Sequence, residues 1–160
     1  MASEPGLSFH DLYERYSRDV YRFAYYLTGR AEQAEDVAAE TFLRIWSSPV
    51  PVSMPTVKAY LMTIARNLAM DEFRRGKRQG EMPAEVVLHD RTAERASAKQ
   101  ELAQVMEGLK QLPEPERAAL LLRVEHELSY EEIAAVLGIE ATAARVRVHR
   151  ARVKLRGVMA

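Results

Sequence analysis

The run from Leu128 to Leu155, LSYEEIAAVLGIEATAARVRVHRARVKL, narrows what the chain can fold into more than any other stretch. Ser129 followed three residues on by Glu132 is a capping box: the hydroxyl accepts from an early helical N–H while the carboxylate reaches back to the N–H of the cap residue. A short helix is therefore predicted from Tyr130, with Ile133, Ala134 and Leu137 on its apolar face. Gly138 suits the left-handed backbone of a tight turn, and Ile139 can pin the corner. From Ala141 to Ala160 the chain carries Arg145, Arg147, Arg150, Arg152, Lys154 and Arg156 and no carboxylate, with Val146, Val148, Val153 and Leu155 as apolar cover. This is the pattern of a helix-turn-helix. In such motifs the second helix lies in the major groove, residues near its start reach base edges, and later basic residues touch phosphate. Arg145, Val146, His149 and Arg150 form the expected groove-facing set. An ordinary helical hairpin with a solvated basic face is the alternative that the hairpin alone leaves open.

Elsewhere, apolar residues recur at three and four, and no stretch alternates as a strand would, so the fold class is all-α. Ser8 and Asp11 can cap a first helix in which Leu12, Tyr16, Val20, Phe23 and Leu27 face the core before Gly29 ends it. A second helix is predicted from Ala31 to Trp46. Pro49, Pro51 and Pro55 interrupt the pattern and make Ser47 to Met54 a loop. In the third helix Val57, Leu61, Ile64 and Leu68 are read as buried, with Arg66, Asn67, Met70, Arg74 and Arg78 on its exposed sides. Periodicity fails after Arg78 and resumes with Leu102, Val105, Met106, Leu109 and Leu112; a further helix restarts at PEPE and contains Ala118, Leu121 and Leu122. The expected architecture is two small helical domains, 8–78 and 97–160, joined by a flexible linker over 79–96, each only modestly stable alone.

The composition of the 160 residues, 48% hydrophobic and 29% charged, is that of a globular protein, and no apolar run is long enough to span a membrane. MASEPGLSFHD has no basic start leading into an apolar core, so a cytoplasmic protein without membrane insertion is expected. With no cysteine there is no disulfide and no thiolate zinc site. Formal net charge is +0, yet the charges are segregated: basic residues gather at Arg66–Arg78 and Arg145–Arg156, carboxylates at Glu32–Glu40 and Glu81–Glu132. Affinity for nucleic acid follows the local basic face rather than the total.

Three segments in order, AEDVAAETFLRIW (Ala34–Trp46), VKAYLMTIARNLAMDEFRR (Val57–Arg75) and LSYEEIAAVLGI…RVHRAR, resemble the bacterial sigma factors of the extracytoplasmic-function group. The resemblance implies a first domain that binds core RNA polymerase and the promoter −10 element, and a last domain that binds the −35 element. Asp36 and Glu40 lie on one helical face with Leu43 close to the stripe, an arrangement suited to a basic helical partner. In the family this helix docks on the β′ subunit, and Asp36, Glu40 and Phe42 match those positions, with Leu43 joining the polymerase-binding set from the stripe. On the third helix Asn67, Arg74 and Arg78 share a side with Thr63 and Met70, flanked by Arg75, and amide and guanidinium groups suit base edges and phosphates. By resemblance, Ile64 and Asn67 line a pocket for an unstacked −10 base together with the loop Ser47 to Met54, with Tyr60 counted among the −10 residues, whereas packing alone would make Tyr60 and Ile64 core residues. Tyr60 stands where the family usually has tryptophan, and Ala143 where it has threonine. Thr142, Arg145, Val146, Arg147, His149 and Arg150 fall to the −35 element. Implied partners are core polymerase through its β′ and β subunits, promoter DNA and an anti-sigma factor.

An enzyme is not expected. His10, His89, His126 and His149 have no ligand or triad spacing, and His126-Glu127 is followed by Tyr130 where a zinc protease would need its second histidine. No metal site and no cofactor follow from these residues. Two rival readings stay open on sequence: a stand-alone helix-turn-helix regulator, and a sigma-like decoy for an anti-sigma protein.

Overall fold

The computed structural model describes residues 8–48, 54–78 and 93–159, with the side chains of 73, 76–78, 93–98 and 159 outside the description. Seven helices follow one another: α1 (Phe9–Thr28), α2 (Ala31–Ser47), α3 (Val57–Arg78), α4 (Ala93–Lys110), α5 (Glu114–Val124), α6 (Tyr130–Leu137) and α7 (Ala141–Met159), with no strand among the described residues. Their ends have local causes. Ser8 Oγ accepts from the Asp11 N–H at 3.2 Å while Asp11 Oδ2 accepts from the Ser8 N–H at 3.3 Å, and Gly29 closes α1 at φ 78°. Thr56 Oγ1 accepts from the Ala59 N–H at 3.0 Å at the head of α3. The second capping box forms as the sequence indicates, Ser129 Oγ taking the Glu132 N–H at 3.1 Å and Glu132 Oε1 the Ser129 N–H at 2.8 Å. Gly138 turns the corner at φ 70°.

The boundaries differ from expectation at one place of consequence: α4 begins at Ala93, inside the segment read as linker. Polar residues with no apolar stripe still continue a helix once its later turns are docked, since packing rather than propensity holds most helices in place. The stretches 49–53 and 79–92, which carry most of the proline-rich loop and of the expected linker, lie outside the described residues.

The two lobes pack against each other. Leu12, Val20 and Phe23 of α1, Val37 of α2 and Leu61 and Met62 of α3 belong to the same connected buried cluster as Met106, Leu122, Ile133 and Val148. Phe23 is fully buried, an event that contributes about 2–3 kcal/mol for such a side chain, and its ring meets the His126 ring edge-on at 5.6 Å. Polar contacts frame this seam. Arg66 holds Glu114 with two bonds of 2.7 and 2.8 Å, Arg22 Nε lies 2.6 Å from Glu125, and Lys58 Nζ donates to the His126 carbonyl at 2.8 Å. Arg117, buried at 6% exposure, donates to the carbonyls of Leu109, Leu112 and, across the seam, Leu27. Arg66, read from the sequence as exposed, is therefore turned inward, because a fixed carboxylate offers its fork a bidentate partner that water does not. Leu68 and Leu137, read as buried, are half-buried.

Candidate functional site

The helix-turn-helix presents a basic outer face. Ala144, Val148 and Ala151, spaced four and three apart, are buried and turn α7 inward toward α5 and α6. The opposite side is open: Thr142, Arg145, Val146, His149 and Arg150 are exposed, and Arg147 is half-buried at its flank. The valines read as apolar cover divide by this geometry. Val148 is covered, whereas Val146 and Val153 are 41% and 49% exposed; seven residues apart, they share a stripe on the outer face. Lys154 departs from the outer set, binding the Glu116 carboxylate of α5 at 2.9 Å, so it serves packing of the lobe rather than the open face.

The first lobe carries a cleft of about 400 Å³ between α2 and α3, lined by Glu40, Leu43, Arg44 and Ser47 on one wall and Tyr60, Thr63, Ile64 and Asn67 on the other. Tyr60, Ile64 and Asn67, grouped only by resemblance at the sequence level, thus come together around one space. Ile64 is 7% exposed and forms its floor; it is both a core residue and a lining residue. A second hollow of about 240 Å³ brings Asp36 and Glu40 beside Arg75. Arg74 and Arg75 are exposed and each pairs with a carboxylate one turn back, Arg74 with Asp71 at 2.5 Å and Arg75 with Glu72. Such exposed pairs are weak, and both guanidinium groups can leave them. Arg78 ends α3, and its side chain is outside the description.

On α2, Asp36, Glu40 and Leu43 are exposed, Leu43 at 60%, and Glu40 accepts from Arg44 at 3.3 Å. Phe42 does not join them. It is 3% exposed, its ring set against Tyr13 at 5.1 Å and Phe9 at 6.3 Å, so in this structure it supports the helix from below and offers no surface to a partner. The residue the sequence reading passed over is Trp46, 68% exposed and edge-on to Phe9 at 4.8 Å. Its signal was available: with Leu43 three residues earlier it extends the stripe of Asp36 and Glu40.

At the seam, burial pushes the His126 imidazole down to about 4, with the Lys58 ammonium acting in the same direction. Both its ring nitrogens lie without a hydrogen-bond partner among the described residues. Burial alone would raise the Glu132 carboxyl, but the Ser129 N–H and hydroxyl, the Thr56 hydroxyl at 2.8 Å and the Lys58 charge outweigh it and hold the group below its ordinary value. Among the described residues no cluster of three or more histidine, aspartate or glutamate side chains could hold a metal ion, and no helix is long and apolar enough to cross a membrane.

Two helical lobes, one with an acidic and apolar face beside a cleft and the other ending in a basic helix-turn-helix, define the class to which comparison assigns the chain. Residues 12–79 match the model of sigma-70 region 2, and residues 102–155 match that of sigma-70 region 4. The ECF RNA polymerase sigma factor SigL of Mycobacterium tuberculosis is 31% identical over 145 residues, covering 88% of this chain and 82% of that protein. SigE of Mycolicibacterium smegmatis, also an ECF sigma factor, is 36% identical over 159 residues, of which this chain spans 62% of the relative's length. Among solved structures, the sigma factor RpoE of Bartonella quintana, in complex with the anti-sigma factor NepR, superposes with a TM-score of 0.78 at 26% identity, covering 94% of this chain and 96% of the other. The chain belongs to the ECF RNA polymerase sigma factors, a family of transcription initiation factors rather than of enzymes.

Proposed function

We propose that this chain is a dissociable promoter-specificity subunit of the bacterial RNA polymerase that performs no chemistry of its own and works in the cytoplasm where its polymerase does. Its domains are 8–78, which binds core polymerase and the −10 element, and 97–160, which reads the −35 element, with 79–96 between them. Asp36, Glu40 and Leu43, extended by Trp46, form the docking face for the β′ subunit, with Phe42 holding that face in place from the core. Tyr60, Ile64 and Asn67 line the site for an unstacked −10 base, with Arg74, Arg75 and Arg78 on the adjoining phosphates. Thr142, Arg145, Val146, Arg147, His149 and Arg150 meet the −35 duplex. The observation that carries the reading is the cleft between α2 and α3, which gathers Leu43, Tyr60, Ile64 and Asn67 around one space. A snug pocket with an aromatic wall is what capture of an unstacked base requires.

The relative bound to NepR supports an anti-sigma factor as a further partner of this chain. Run-off transcription with core polymerase on a pool of random promoters tests the function directly. Transcripts that depend on the protein and share two upstream elements support it. DNA binding without transcription would leave a stand-alone regulator, and binding of an anti-sigma factor without DNA binding a decoy.

A further inference from the structure

Arg145 and Tyr130 meet at the corner of the helix-turn-helix. The Arg145 Cζ lies 4.4 Å from the centroid of the Tyr130 ring, and the Arg123 Cζ lies 4.3 Å from the same centroid. Arg123 is itself anchored, its Nη1 donating to the Leu128 carbonyl at 3.0 Å. Tyr130 is the first residue of α6, directly after the capping residue Ser129, so its backbone is fixed by the capping box, and its ring is half-buried with the anchored Arg123 also against it. Unlike Arg22, Arg66, Arg74 and Arg75, which each hold a carboxylate, Arg145 has no such pair among the described residues and, like Arg123, rests on the uncharged Tyr130 ring.

We propose that Tyr130 is a positioning residue for −35 recognition, holding the Arg145 guanidinium by a cation–π contact so that it meets the DNA already placed. The inference rests on the reading of α7 as the −35 helix and adds a specificity determinant outside it. A guanidinium seated on an aromatic ring keeps its N–H donors and its whole charge, and its planar fork is suited to bidentate contact with a base edge or a phosphate. A carboxylate partner would occupy those donors. A free arginine would lose rotamer freedom on binding, and a seated one has lost part of it beforehand.

The test uses holoenzyme assembled with core polymerase and a duplex pool randomised through the upstream element. Sites selected by the unmodified protein are then varied one base pair at a time, and the preference that Arg145→Ala loses is located. At that base pair Tyr130→Phe, which keeps the ring, should stay within about twofold of the unmodified protein. Tyr130→Leu should lose about three- to tenfold of the preference, and it should change nothing further there once Arg145 is alanine. Because the leucine variant removes packing as well, a series with fluorinated phenylalanines at position 130 keeps the volume while draining the ring of negative charge; the preference should fall step by step along it. Full preference in the fluorinated series, or an equal loss from Tyr130→Leu with and without Arg145, overturns the proposal. If the unmodified holoenzyme selects no upstream element, the −35 assignment itself fails, an outcome visible without any change at Tyr130; if an element is selected and Arg145→Ala loses no preference at any base pair, the −35 assignment stands on the other α7 residues and the proposal for Tyr130 is overturned.

Discussion

Arg66 and Glu114, 48 residues apart in the chain, form a two-bond ion pair of 2.7 and 2.8 Å at the seam between the lobes, with side-chain exposures of only 16% and 11%. Removing one partner from such a pair leaves the other charge uncompensated in a poorly solvated place, which costs more than the pair is worth. Glu114→Ala should therefore lower the unfolding free energy by about 2–4 kcal/mol, and the double replacement Arg66→Met with Glu114→Leu should recover most of it. Denaturant titration of the three variants checks this. Equal losses in the single and double variants would mean that lost packing, and not the stranded charge, is the cause.

His126 predicts the response of the closed form to acid. Its folded value of about 4 lies below the ordinary 6.5, so the unfolded chain takes up a proton first as pH falls. The stability this group supports is complete above 6.5 and is lost progressively toward 4, by at most about 3 kcal/mol for the full shift. Lys58 and Arg22 oppose protonation while Asp19 and Glu125 favour it. Stability measured from pH 7 to 4 should fall more steeply in the unmodified protein than in His126→Leu. The depressed Glu132 carboxyl loses its contribution in the same direction at lower pH, and that part should persist in both. Identical slopes over 4–6.5 would rule out His126 as the titrating group.

Charge reversal at Asp36 and Glu40 should weaken binding to core polymerase by about tenfold or more, equivalent to about 1.4 kcal/mol, with helix content unchanged, because both side chains are exposed. Trp46→Ala should act in the same direction and with less dependence on salt. Competition binding against unmodified protein is the measurement, and unchanged affinity in the double reversal removes this face from the interface.

Tyr60→Ala and Asn67→Ala, on the wall of the cleft between α2 and α3, should impair promoter melting more than duplex binding. Loss of one stacked base costs about 1–3 kcal/mol. Permanganate footprinting of the melted region, set beside binding to the closed duplex, separates the two steps. Normal melting in both variants would place the base pocket elsewhere.

Glu127 is the described residue other than glycine with positive φ, at 59°, in the link between α5 and α6. An exposed residue held there carries about 1 kcal/mol of strain that glycine would not. Glu127→Gly should raise stability by about 0.5–1 kcal/mol and the melting midpoint by a few degrees, despite the larger entropy of the unfolded chain. A lower midpoint would show that the glutamate makes up the strain in another way.

How far the fold could be read in advance follows from sequence distance. Ser129 and Glu132 are three residues apart, so the chemistry of the cap is complete within one turn and visible in the letters; Ser8 with Asp11 is the same case. Val146, Val148 and Val153 needed only a count along the helix, since a step of seven puts the outer pair Val146 and Val153 on one side and leaves Val148 on another. Phe42 and Leu43 are harder. They are neighbours on α2, and what sends one inward is the pair of rings of Phe9 and Tyr13 on another helix. Arg66 is harder still, because nothing within α3 distinguishes a guanidinium facing water from one facing a carboxylate that appears 48 residues later. The contacts across the seam as a whole belong to this last kind, since none of them can be read from within one helix. The cleft side chains were grouped through resemblance; periodicity alone would have left Tyr60 and Ile64 in the core.

The caps of α3 and α6 are joined to each other: the Thr56 hydroxyl accepts from Ala59, donates to Glu132 Oε2, and Glu132 Oε1 in turn takes the Ser129 N–H. This makes the second lobe transplantable in a graded way. Grafted behind a foreign first lobe, it would bring its own corner intact, because Ser129 and Glu132 travel together. It would fasten to its new neighbour at this point only where that neighbour offers a hydroxyl at the head of its third helix. A recipient with aspartate there would still cap its helix and yet meet Glu132 as a like charge. A chimera could thus keep a complete reading head while losing one of the polar contacts that fasten the lobes together.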